Sequence, residues 1–125
     1  MKIEFLASGA EECPLIRLFE FQMSEVKQLR EVCLALAEDE ITEFALHDQR
    51  WVNSISNCQF VWRMGSKDTG VMRPNEDEPF VLELSQEAWR EVADKLLPFV
   101  EGRVGFNWLT NEGDVEVLSS YDGKW

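Results

Sequence analysis

The stretch Ser24-Glu25-Val26-Lys27-Gln28-Leu29-Arg30-Glu31-Val32-Cys33-Leu34-Ala35-Leu36-Ala37 decides the fold class. Apolar residues at Val26, Leu29, Val32, Cys33, Leu36 and Ala37 recur every three or four positions, the stripe by which a helix buries one face. Ser24 is a good N-cap, and Glu25 falls in the first turn, where the helix dipole favours negative charge. At an offset of 60 residues, Leu29-Arg30-Glu31-Val32 reappears as Trp89-Arg90-Glu91-Val92. That second helix opens at Ser85, its stripe is Trp89, Val92, Ala93, Leu96 and Leu97, and Pro98 disturbs its end.

Outward from the helices lie short runs with strand character: 2–7, 15–21, 41–46, 58–64, 80–84, 104–109 and 115–121. Cys58, Phe60, Trp62 and Met64 alternate with Gln59, Val61 and Arg63, which gives that run one strongly apolar face. Asn111-Glu112-Gly113 carries turn chemistry for a hairpin between the last two runs. The order contains a strand–helix–strand–strand unit twice, a pattern that suits an α+β fold. In it, two amphipathic helices pack on one face of a mostly antiparallel sheet. The span 65–79, with Gly65, Gly70, Pro74 and Pro79, is expected to be the one long loop. A chain of 125 residues buries enough surface for one hydrophobic core, so residues 1–125 are expected to form a single globular domain.

Charge narrows the partners. The chain carries 24 acidic and 12 basic side chains, a formal net charge of −12. The excess is even, with 11 acids and 5 bases in residues 1–62 against 13 and 7 in residues 63–125. Nucleic acid and anionic membrane surfaces are disfavoured by repulsion, which leaves a basic protein or an uncharged partner. The longest apolar stretch is the six residues Val32–Ala37, far below the roughly 20 of a membrane span. Cys13, Cys33 and Cys58 are an odd, scattered set, which reads as reduced thiols, and the location expected is cytoplasmic.

No catalytic motif stands out. His47 is the only histidine, so a multi-histidine zinc site is impossible, and no metal or cofactor is assigned. A nucleophile pair of Cys58 with His47, oriented by Asp48, is arithmetically available; Cys58, however, shares a strand face with Phe60 and Trp62, where a small buried hydrophobe is expected. Gly65-Ser66-Lys67-Asp68-Thr69-Gly70 has the opening spacing of a phosphate loop, but Val71 and Met72 stand where lysine and serine or threonine are required.

The distinctive polar features are acidic clusters: Glu11 with Glu12; Glu38, Asp39 and Glu40 with Glu43; Glu76, Asp77 and Glu78; and Glu112, Asp114 and Glu116. Five tryptophans are the distinctive apolar feature. Trp62, Trp89 and Trp108 have places on apolar faces, whereas Trp51 and Trp125 lie in polar surroundings. Acids beside exposed aromatic rings suit a basic partner through charge and cation–π contact. The expected function is therefore a small acidic module that docks a basic protein, of inhibitor or immunity type. Its expected partner-binding residues are Trp51, Glu38, Asp39, Glu40, Glu43, Glu76, Asp77 and Glu78. The alternatives are a self-associating structural subunit, such as a homodimer, and a small enzyme built on His47 with Cys58.

Overall fold

A computed structural model describes residues 1–10, 13–73, 75–110 and 115–124, with the backbone alone at 8–10 and at Cys13. The acids Glu11, Glu12, Glu112 and Asp114, the turn at Asn111–Gly113, and Trp125 lie outside the described residues. The strands are β1 Lys2–Ala10, β2 Cys13–Phe19, β3 Glu43–Ala45, β4 Asn53–Ser54, β5 Phe60–Met64, β6 Gly70–Met72, β7 Phe80–Leu84, β8 Phe106–Thr110 and β9 Glu116–Ser120. The helices are α1 Met23–Ala37 and α2 Gln86–Val100, with short 3-10 turns at Leu46–Asp48 and Ile55–Asn57.

The fold is α+β with two helices, as the periodicity predicts. Local chemistry sets the helix ends. Ser85 is the N-cap of α2, its Oγ accepting from the Ala88 N–H at 3.3 Å. At α1 the cap is Gln22 rather than Ser24, and the Glu25 carboxylate reaches back to the Gln22 N–H at 2.8 Å. Pro98 does not end α2, which runs on to Val100. A proline so close to a helix end sacrifices a single internal hydrogen bond.

The strands form two mixed sheets rather than one, ordered β4-β1-β2-β9-β8 and β3-β5-β7-β6. Hairpin neighbours are antiparallel, but the two central pairings, β2 with β9 and β5 with β7, are parallel. A parallel pair needs a crossover of a dozen or more residues. Between β5 and β7 that crossover is the span 65–79, which holds β6 and is therefore not simply a loop.

The repeated unit is longer than the sequence suggests: strand, strand, helix, strand, strand. One copy is β1, β2, α1, β3 and β5, with the short β4 inserted; the other is β6, β7, α2, β8 and β9. Each copy lends its last two strands to the other copy's sheet. Inward-facing residues pair alike in both sheets: Ile16 with Val117 and Leu18 with Ser119, Phe80 with Phe60 and Leu82 with Trp62.

One cluster of buried residues draws on both sheets and both helices, including Ile3, Ile16, Leu29, Leu36, Trp62, Leu82, Trp89 and Val117. At its centre the rings of Trp62 and Trp89 lie 5.0 Å apart, and the Trp89 indole N–H donates to the Arg63 carbonyl at 3.0 Å. On the far face of the first sheet, the Arg17 guanidinium lies 3.9 Å from the Phe19 ring centroid and donates to the Gly123 carbonyl. Gly123 adopts φ +83°, and a Cβ there would sit 3.1 Å from the Phe19 ring, so glycine lets the tail lie flat.

Candidate functional site

A groove of about 360 Å³ opens between α1 and the segment carrying β3. Gln28, Glu31, Val32 and Ala35 form its helical wall, and Ile41, Phe44, Gln49 and Trp51 face them. The chain reaches this geometry by doubling back at the end of α1. Glu38 is the C-cap, Asp39 takes the left-handed conformation at φ +58°, and the Glu40 and Ile41 N–H groups both donate to the Ala35 carbonyl. Trp51 is half-buried, and its carbonyl accepts from the Met1 α-ammonium at 2.9 Å, while Gln49 Nε2 donates to the Ala45 carbonyl at 3.1 Å.

Glu38, Asp39 and Glu40 are exposed at the C-terminal end of α1, and the last turn of that helix carries no basic residue. Negative charge at the negative end of a helix dipole costs about 0.3–1 kcal/mol per residue. None of the three, nor Glu31, forms an ion pair among the described residues. Glu43 stands opposite Arg63 across the β3–β5 pair, but the Arg63 guanidinium goes to Glu83 at 2.9 Å.

Glu76, Asp77 and Glu78 line a second cleft, of about 450 Å³, whose other walls include Phe5, Ser56, Asn57, Cys58, Arg73 and Phe80. Here the protein supplies its own cation. Arg73 lies 4.4 Å from the Phe80 ring centroid and donates to the Glu76 and Glu78 carbonyls, which holds the loop against β6 and β7. Ser56 and Asn57 on the opposite wall both take left-handed backbone angles, φ 52° and 56°.

The two acidic clusters do not converge. Glu43 lies on one edge strand of the second sheet, at the end where Arg63 pairs with Glu83. The loop bearing Glu76, Asp77 and Glu78 follows β6, the opposite edge strand, and leads into Phe80 at the other end of β7. Trp51 lies by the start of α1, where Met1 bonds both its carbonyl and Glu25, Glu38, Asp39 and Glu40 lie at the other end of that helix, and the 76–78 run stands apart from both.

The Cys58 thiol is buried and pushed up to about 11, with desolvation the dominant cause, so it is protonated at neutral pH. Burial raises Cys33 further still. His47 Nδ1 accepts the Phe60 N–H at 3.1 Å, which ties the histidine to β5, and its Nε2 lies 3.6 Å from Asp48. Among the described residues no group of three His, Cys, Asp or Glu side chains could hold a metal ion. Nor is any helix among them long and apolar enough to cross a membrane.

Sequence reasoning missed an apolar surface. Met23, Val104, Phe106 and Tyr121 are 54%, 71%, 50% and 41% exposed. Met23 approaches Gly102, the Tyr121 N–H donates to the Gly105 carbonyl, and Tyr121 packs edge-on against Phe21, which gathers these residues at one end of the first sheet. Their only sequence signal is a set of isolated apolar residues at element ends. Comparison with protein families, with curated proteins and with solved structures returns no match.

Proposed function

We propose that the chain is a small acidic cytoplasmic binding module, of the inhibitor or immunity type, that docks a basic protein. The carrying observation is the Glu38-Asp39-Glu40 triplet at the disfavoured end of α1, which forms no ion pair among the described residues and leads into Ile41 of the groove between α1 and β3. A cationic partner would relieve both the mutual repulsion and the dipole penalty, so part of the binding energy is prepared in the free protein. The Glu76–Glu78 cleft, already occupied in part by Arg73, is the weaker half of the expected surface. In this reading a covered basic active site would lose access to phosphate-bearing substrate.

The test is capture of a stoichiometric basic partner from the native host's extract at low and high salt, followed by association kinetics. Charge reversal at Glu38, Asp39 and Glu40 together should slow association by about tenfold or more and flatten its salt dependence. A captured partner whose kinetics ignore this reversal would refute docking at this end.

The Met23, Val104, Phe106 and Tyr121 surface favours a second reading, self-association through that patch. Mass that rises with concentration in the wild type and stays monomeric in Phe106→Lys would support it; a monomer at all concentrations would remove it.

A further inference from the structure

Among the described residues, three of the four sheet edges are short. β4 has two residues, and β3 and β6 have three each. Two of these edges also lie beside acids: β3 begins at Glu43, and the loop after β6 carries Glu76, Asp77 and Glu78. Short edge strands with charge beside them keep other chains from pairing. β8, the remaining edge, has five residues and no charge.

The composition around β8 departs from that of the chain. Residues 102–111 hold no acid and a single base, Arg103, in a protein with 24 acids in 125 residues. Residues 117–121, which carry β9 into Tyr121, hold no charge at all. Phe106 is exposed on β8, Trp108 is half-buried, and Val104, Tyr121 and Met23 extend the uncharged surface.

The ladder to β9 decides which backbone groups this edge leaves open. The Tyr121 N–H donates to the Gly105 carbonyl at 2.9 Å, and the register continues as Phe106 with Ser120, Asn107 with Ser119 and Trp108 with Leu118. Bonded and non-bonded pairs alternate in an antiparallel ladder, so Phe106 and Trp108 turn their N–H and C=O groups away from β9. Asn107 points to the helix, where its Nδ2 donates to the Lys95 carbonyl at 3.1 Å, and the Lys95 ammonium donates to the Leu109 carbonyl at 3.1 Å. Alternation along the strand then puts the Phe106 and Trp108 rings on the other face of the sheet.

We infer that β8 pairs with β8 of a second copy, antiparallel about a two-fold axis at Asn107, which joins the two first sheets into one. This inference rests on the self-association reading above and specifies how the copies meet. The axis sets Phe106 of each copy opposite Trp108 of the other, and the outward N–H and C=O groups of the two strands satisfy one another. Charge selects the occupant. A basic partner is drawn to the acids elsewhere, and an acidic one is repelled by the whole molecule, whereas a second copy brings an edge equally free of acids. Two chains of net charge −12 approach with least repulsion at this edge.

The test is sedimentation equilibrium from micromolar to millimolar protein at low and high sodium chloride, with amide hydrogen exchange followed at both ends of that range. The expected result is a dimer that tightens as salt screens the two negative chains, the opposite of docking to a basic partner. Exchange at the Phe106 and Trp108 amides should slow as the dimer forms. Phe106→Glu, which brings an acid to each side of the axis, should weaken the dimer about tenfold or more with unchanged circular dichroism. Should that variant fail to fold, exchange in the wild type still decides. A dimer whose Phe106 and Trp108 amides exchange as fast as in the monomer would overturn edge pairing and leave contact through the apolar patch. A monomer at every concentration would overturn both. Association that weakens with salt would also overturn the inference, since opposite charges would then hold the copies together.

Discussion

Trp62 and Trp89 touch at the centre of the core, both fully buried, yet their indole N–H groups fare differently. That of Trp89 meets the Arg63 carbonyl, whereas that of Trp62 finds no acceptor among the described residues. Replacing either ring by phenylalanine leaves a partial cavity, but only Trp89→Phe also removes a buried hydrogen bond, whereas Trp62→Phe removes an N–H that has no acceptor among the described residues. Trp89→Phe should therefore destabilise by about 1 kcal/mol more than Trp62→Phe, measured by denaturant unfolding. The cysteines yield a second residue-scale expectation. In a Cys13→Ser background the native protein should release no thiol to a disulfide reagent at pH 8, while the unfolded protein releases both Cys33 and Cys58. A fast-reacting Cys58 would revive the enzymatic alternative.

The start of α2 depends on a residue outside it. Asp68 Oδ1 accepts the N–H of Ser85, the helix N-cap, at 2.9 Å, and hydrogen bonding to Ser85 lowers the Asp68 carboxyl below its ordinary value. A depressed folded-state value stabilises the fold above the unfolded value of about 3.9, and that stabilisation is lost as pH falls through the folded value. Asp68→Ala should accordingly lower the melting temperature at pH 7, with the difference from wild type closing as pH falls through the depressed carboxylate value. A difference constant down to pH 2 would show that Asp68 acts by packing. In the sequence Asp68 figures only as one residue of the Gly65–Gly70 stretch. Its partner lies 17 residues away, and local patterning carries no information about that pairing. The same limit hid β6: Gly70-Val71-Met72 is too short to show alternation, and pairing with β7 is what makes it a strand.

Exchange of strands between the two halves governs the whole molecule. β2 finds its parallel neighbour in β9, and β5 in β7, so neither half contains the centre of a sheet. Fragments 1–66 and 67–125 should each lack cooperative unfolding alone and regain native-like circular dichroism when mixed in equal amounts. A fragment that folds alone would mean that each helix hairpin suffices as a core. The four residues that match on the helices at an offset of 60 lie three positions out of register with the structural repeat, whose caps and buried stripes are 63 apart, because amphipathic helices look alike locally whereas exchanged strands are recognised only by their partners.

What the sequence determined by itself was the class: two amphipathic helices among short strands, a buried tryptophan pair on apolar faces, and a surface of excess negative charge. Each follows from periodicity or composition, which act over a few residues or over the whole chain. Tertiary structure alone decided that the strands divide into two sheets with parallel centres. It alone set Trp51 by the start of α1 and Glu38, Asp39 and Glu40 at its end, with Glu76, Asp77 and Glu78 apart from both, and tied α2 to β8 through Lys95 and Asn107. Those outcomes depend on which distant residues meet, and such pairings arise when the chain closes around one core.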